Sequence, residues 1–289
     1  MLYRDFDQAG LDAQYNMRER VPSFPEFVER WAVDSQHVRA LSSSRLDLAY
    51  GARPRERLDL FPCGRGGAPL HVFIHGGYWQ AMDKEHFAYV AEGLRPHGFD
   101  VAALEYTLAP EVSVAEIVDQ CRTAIGWLWR QAAELGFDRD NITVSGHSAG
   151  GHLTAMLLLT DWTAWDAELP AAPLRGGLAI SGLYDLEPIR LSYLNKVLGL
   201  DAASARAVSP LHQLGAAAPP PLLVAVGGDE TDEFKRQQAD FLDAWSDRGF
   251  AGRDISMPGT NHFSVVDALG QADSALVSGI RELAAGSRA

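Results

Sequence analysis

Cysteine is scarce. Only Cys63 and Cys121 occur in 289 residues, too few and too far apart for a disulfide framework or a thiolate metal site, and a reduced pair in a cytoplasmic protein is expected. Long apolar runs are missing as well: no segment reaches the roughly 18 residues of a membrane-spanning helix. The opening stretch MLYRDFDQAGLDAQYNMRER carries too many charges for a secretory leader. Positive charge is in short supply, with a formal net charge of -13 and no Lys/Arg-rich run. That argues against nucleic acid and anionic membrane surfaces as partners. Metal-ligand spacing is absent too, because His147 and His152 lie five residues apart, outside the i, i+4 pattern of a helical metal pair. No metal and no cofactor are expected. The partners left are a small-molecule substrate and, as an option, a second copy of the chain in a homodimer.

What is there is a large apolar fraction, 47% of the residues, enough to bury the core of one α/β domain spanning 1–289. From about residue 46, short apolar strands alternate with longer amphipathic stretches, the pattern of a mostly parallel sheet flanked by helices. LDLAYG, RLDLFP, HVFIHGG, DVAALEY, NITVSG, GGLAISG, PLLVAVG and DISMPG read as eight strands. DKEHFAYVAEGLRPHG, VAEIVDQCRTAIGWLWRQAAELG, DEFKRQQADFLDAWSDRG and the C-terminal SVVDALGQADSALVSGIRELAAG read as helices, with Trp127 and Trp129 expected in the core. Residues 1–45 and 187–218 fall outside this rhythm and are expected to form a small cap.

The chemistry centres on ITVSGHSAGG, residues 142–151. A Val/Ile-rich strand that stops at Gly-x-Ser-x-Gly and continues as HLTAMLLLT describes a strand, a very tight turn and a helix. Small residues flank the centre of such a turn because its backbone is strained. This is the nucleophile elbow of an α/β-hydrolase fold, and it presents Ser148. A serine hydroxyl needs a base, and the base needs an orienting acid; in this fold the acid and then the histidine follow the serine along the chain. Of nine histidines only His212 and His262 lie beyond the elbow. His262, in GTNHFS after the last strand, occupies a strand's carboxyl end, where catalytic groups gather, whereas His212 falls in the cap, so His262 is the expected base.

The acid should follow PLLVAVG. Asp229 and Glu230 are adjacent there, and residue chemistry leaves both open, while Asp232 and Glu233 suit the first turn of a helix. The glycines of HVFIHGGYW let the backbone approach a developing oxyanion, so the amides of Gly77 and Tyr78, with that of Ala149, are expected to form an oxyanion hole. His75 is expected to hold this loop by a hydrogen bond. Trp79 and Tyr78 either wall a substrate pocket or pack in the core. Tyr15, Asn16, Tyr184 and Tyr193 read as ordinary packing, with substrate contact as the alternative.

Taken together, HGGYW, GHSAGG, EYTLAPE and NHF resemble the α/β-hydrolase branch that holds the hormone-sensitive-lipase-like carboxylesterases and the serine-dependent kynurenine formamidases (arylformamidases). The resemblance runs from about residue 47 to the C-terminus. It implies a serine hydrolase that cleaves an aryl formamide such as N-formylkynurenine, or a small carboxylic ester. It also implies Glu230 as the acid, because VGGDETDEFKRQ is similar to a family segment whose acid lies four residues before a Phe, here Phe234. Many relatives carry Asp at this point, so a Glu with Asp229 beside it is a departure. QYNMRERVP resembles bacterial members of the group but carries no chemistry readable from its residues. A general short-chain or aryl carboxylesterase is the close alternative, and a non-catalytic binding protein on the same fold a third.

Overall fold

A computed structural model describes residues 1–286. Three helices open the chain: α1 (Gln8–Tyr15), α2 (Met17–Arg20) and α3 (Phe24–Arg39). Eight strands form one sheet: β1 (Arg45–Ala49), β2 (Arg57–Phe61), β3 (Ala68–Ile74), β4 (Asp100–Leu104), β5 (Phe137–His147), β6 (Gly176–Ile180), β7 (Leu222–Ala225) and β8 (Gly252–Asp254). Their spatial order is β1-β2-β4-β3-β5-β6-β7-β8. Strand β2 runs antiparallel to both β1 and β4, and every other pairing is parallel. Strands β4, β6 and β7 are buried along their whole length, which explains why they read as continuous apolar runs: helices cover both faces.

The chain leaves β3 toward β4 on one side and returns as β5 on the other, so the strand order reverses at β3. Such a reversal opens a crevice at the strands' carboxyl ends. Ile74 pairs with Gly146, so the loops after β3 and β5 begin side by side.

The remaining helices are α4 (Val90–Leu94), α5 (Val114–Leu135), α6 (Ala149–Leu158), α7 (Trp162–Trp165), α8 (Glu187–Leu191), α9 (Asn195–Leu198), α10 (Ala202–Ala207), α11 (Asp232–Ser246) and α12 (Ala275–Ala285). Helix α5 begins at a reciprocal cap between Ser113 and Glu116 and ends at Gly136 in a left-handed conformation, as its sequence signals require. The N-terminal helices are tied to this body by burial and charge. Trp31 donates its indole N–H to Asp267 Oδ1 at 2.6 Å. Arg39 and the buried Lys84 both pair with Asp59, a fully buried carboxylate on β2.

Several expectations are corrected. The stretch 83–98 is not one helix but two 3-10 turns around the short α4, because Lys84 is drawn to Asp47 and Asp59 and the Tyr89 amide donates to Ser35 Oγ. The last strand is Gly252–Asp254, with DISMPG mostly beyond it apart from a bridge between Gly227 and Met257. The closing helix is α12 alone, preceded by a 3-10 turn at Val266–Gly270. Trp127 and Trp129 are half-buried at the margin of the core, and the Arg139 guanidinium lies over the Trp129 ring at 4.6 Å.

Candidate active site

Ser148 stands between β5 and α6 with φ 57° and ψ -116°, a conformation that L-residues rarely adopt and that surrounding structure must hold in place. Its amide donates to the Ile180 carbonyl at the end of β6 (2.8 Å), and its carbonyl accepts from His152 at the start of α6 (3.1 Å). The turn closes only because its neighbours are small: a Cβ on Gly150 would sit 2.0 Å from the Ile74 carbonyl oxygen.

The late strands supply the rest. Glu230 follows β7 and is almost wholly buried. Its Oε2 meets His262 Nδ1 at 2.6 Å. Its Oε1 accepts from the Ser181 hydroxyl at 2.6 Å and from the Gly227 amide at 2.8 Å. With Nδ1 committed to the carboxylate, Nε2 is the imidazole nitrogen available to take a proton. Asp229, by contrast, is exposed. His262 itself is held by its neighbours: Asn261 Oδ1 accepts from the amides of Phe263 and Ser264, and the His262 carbonyl pairs with His147 Nε2 at 2.7 Å. A carbonyl only accepts, so His147 carries its proton on Nε2. Burial and the adjacent His262 hold His147 well below the ordinary histidine range, which keeps it in that neutral donor form.

After β3, the loop at 76–82 departs from ordinary backbone. Gly77 has φ 107°, and Tyr78, Trp79 and Met82 also have positive φ. A Cβ on Gly77 would meet the Ala81 carbonyl oxygen at 2.2 Å. His75 anchors the loop as expected, with Nε2 on Glu105 Oε1 at 3.0 Å and Nδ1 on the Gly76 carbonyl at 2.8 Å. The amides of Gly77, Tyr78 and Ala149 donate to no group among the described residues. Unpaired N–H groups on two adjacent loops are what a developing oxyanion needs.

Ser148, His147 and His262 lie along a cavity of about 440 Å³. Tyr78 lines it and donates its hydroxyl to the Tyr15 carbonyl at 2.7 Å. Residues from α2 and α3 and, from the 187–218 insertion, Tyr193 and Leu194 complete the wall. Phe24 and Phe263 pack at a tilt with centroids 4.5 Å apart, and the Trp31 ring meets Phe263 edge-on at 6.4 Å, giving an aromatic side.

Trp79 is placed otherwise. It is fully buried, outside the cavity lining, and its indole N–H donates to His152 Nδ1 at 3.2 Å, because the positive φ at 78 and 79 turns the indole toward the core. His152 uses its other nitrogen on the Val208 carbonyl at 2.7 Å. Tyr15 and Tyr184 are also buried, Tyr184 stacked on Phe241 at 4.3 Å, whereas Asn16 and Tyr193 reach the cavity. His212 lies outside the lining, 3.9 Å from Asp185. Cys63 and Cys121 are both free thiols. Among the described residues, no group of three His, Cys, Asp or Glu side chains is arranged to hold a metal, and no helix is long and apolar enough to cross a membrane.

Sequence reasoning passed over Ser181, although its place at a strand's carboxyl end was a usable signal. It also passed over the aromatic side formed by Phe24, Trp31 and Phe263, whose members lie too far apart in sequence to be seen together.

A family model described as BD-FAE matches residues 58–171. A kynurenine formamidase of Danio rerio is 31% identical over 241 residues, covering 81% of this chain and 80% of the relative. The chain belongs to the kynurenine formamidase family. A solved structure from Silicibacter sp., described as a candidate thioesterase, shares 33% identity and a TM-score of 0.82 over 94% of this chain and 98% of its own. A carboxylesterase cloned from a metagenomic library shares 19% identity and a TM-score of 0.72, covering 91% and 96% of the two chains, which establishes the α/β-hydrolase fold. This kynurenine formamidase family member is therefore a hydrolase.

Proposed function

We propose that the chain hydrolyses an aryl formamide of the N-formylkynurenine kind, or a small carboxylic ester, through an acyl-enzyme on Ser148. The observation that carries the mechanism is the Glu230–His262 contact at 2.6 Å, beside a serine on a strained elbow in one cavity. His262 Nε2 takes the Ser148 proton as Oγ attacks the carbonyl carbon, and the oxyanion forms against the amides of Gly77, Tyr78 and Ala149. The tetrahedral adduct collapses, the bond to the leaving amine or alcohol breaks, and His262 returns the proton to that group. A water then attacks the acyl-serine with His262 as base, releasing the acid and restoring the hydroxyl. Glu230 holds the imidazole in the right tautomer and stabilises its charged form. The segments 1–45 and 187–218 act as the cap of one domain and shape the binding wall. Every group assigned comes from one chain, so the site needs no homodimer.

Formamide preference is supported by the Danio rerio relative and by the aromatic side of the cavity. The second reading, a general carboxylesterase, is favoured by the esterase neighbours. Side-by-side kcat/KM values for N-formylkynurenine and for p-nitrophenyl acetate and butyrate separate the two. The formamide should reach about 10⁴ M⁻¹s⁻¹ or more. Turnover of the esters alone would favour the second reading, and turnover of neither would contradict both.

A further inference from the structure

The acyl-transfer chemistry leaves one charged side chain of the cavity unused. Among the described residues, Arg18 is the only Arg, Lys, Asp or Glu along the cavity lining. It belongs to α2, whose place is fixed twice: the Asn16 side chain accepts from the Glu19 amide at 3.4 Å, and the Tyr78 hydroxyl ties the adjoining Tyr15 carbonyl to the oxyanion loop at 2.7 Å. The position of Arg18 is therefore coupled to the reacting end of the cavity.

Its guanidinium lies over the Phe24 ring, 4.9 Å from the centroid, and makes no hydrogen bond or ion pair with any described residue. The side chain is exposed, and the exposed Arg20, Arg45 and Arg206 likewise make no ion pair with described residues; what sets Arg18 apart is its place on the cavity wall beside Phe24. A guanidinium resting its face on an aromatic ring keeps its planar N–H fork open at the edge, which suits a carboxylate bidentately. Tyr193, on the opposite cap segment, lines the same cavity and lies within reach of the Arg18 charge. The overall field of so acidic a protein repels negative groups, so the carboxylate end of a substrate is best received beside a local cation.

We propose that Arg18 is a specificity-determining residue that anchors a carboxylate of the substrate at the end of the cavity away from the scissile carbonyl. This rests on the acyl-transfer reading of the cavity and adds to it the side chain that holds the substrate's carboxylate.

Two matched pairs test it on wild type, Arg18→Gln and Arg18→Lys. One is N-formylkynurenine with N-formylkynuramine, which lacks the carboxylate; the other is 3-(4-acetoxyphenyl)propanoate with 4-propylphenyl acetate, in which the carboxylate is again on the leaving group. In wild type the carboxylate-bearing member should have the higher kcat/KM, and Arg18→Gln should reduce that preference by about 10- to 100-fold, chiefly through KM, as expected for loss of a charge-assisted contact. Arg18→Lys should keep part of it. A preference unchanged by Arg18→Gln overturns the assignment, as does an equal loss on both members of a pair, which would mark a merely structural role. If only the esters are hydrolysed, the formamide reading fails and the ester pair alone decides Arg18.

Discussion

Replacing Glu230 by Gln changes one atom's chemistry in a site whose hydrogen bonds leave it one orientation. The Gly227 amide can only donate, and it points at Oε1 from 2.8 Å with the Ser181 hydroxyl at 2.6 Å. The amide oxygen of Gln must therefore stay at the Oε1 position, which turns its NH₂ toward His262 Nδ1. Nδ1 must then accept, the proton moves to Nε2, and the imidazole can no longer take a proton from Ser148. An equivalent wrong-tautomer substitution in a serine triad costs about 10⁴ in kcat, or roughly 5.5 kcal/mol of barrier. We expect Glu230→Gln to lower kcat on p-nitrophenyl acetate by about 10³- to 10⁴-fold near pH 7 with KM little changed. Asp229→Asn, at the exposed neighbour whose amide donates to the Thr260 carbonyl, should cost less than about threefold. Steady-state kinetics on both variants, with thermal melts to verify folding, decide the matter. A Glu230→Gln enzyme that retains a tenth of its rate, or a larger loss in Asp229→Asn, would refute the reasoning.

Gly77→Ala should lower kcat by about 100-fold, the order expected when an oxyanion donor is lost, because the new Cβ must displace the Ala81 carbonyl 2.2 Å away at a φ of 107°; a near-normal kcat would remove the 76–82 loop from the mechanism. Stability should fall on acidification. Burial holds His152 at about 4 and His71 at about 3, whereas the unfolded chain protonates both below about 6.5. The unfolded state thus binds more protons in this window, and stability drops as pH falls from about 6.5 toward 4, by about 2.5 kcal/mol per histidine at pH 4.5. Urea melts between pH 7 and 4.5 measure this, and a flat profile would contradict it.

The sheet and the elbow were legible because their signals are local. Gly-x-Ser-x-Gly after a Val/Ile run specifies its own backbone, and strands buried on both faces announce themselves by composition. Glu230 was legible only through resemblance, since what separates it from Asp229 is burial behind His262, a relation between residues far apart in sequence. The stretch 83–98 misled because its periodicity is helical while Lys84 is held by Asp59 on β2: tertiary pairing overrode local propensity. Trp79 stayed open between pocket and core for a similar reason, as the partner that fixes it in the core, His152, lies on α6. QYNMRERVP carries no chemistry readable from its residues alone; only the fold sets its Arg18 over Phe24 on the cavity wall.

The central claim is that Ser148 forms a covalent acyl-enzyme, and the most direct measurement is intact-protein and peptide mass spectrometry after treatment with a fluorophosphonate, run beside Ser148→Ala. The account predicts one phosphonyl adduct per chain, on Ser148, with turnover lost in parallel. In Ser148→Ala both the adduct and turnover should be absent. An adduct on another residue, or a Ser148→Ala protein that turns over at the wild-type rate, would contradict it.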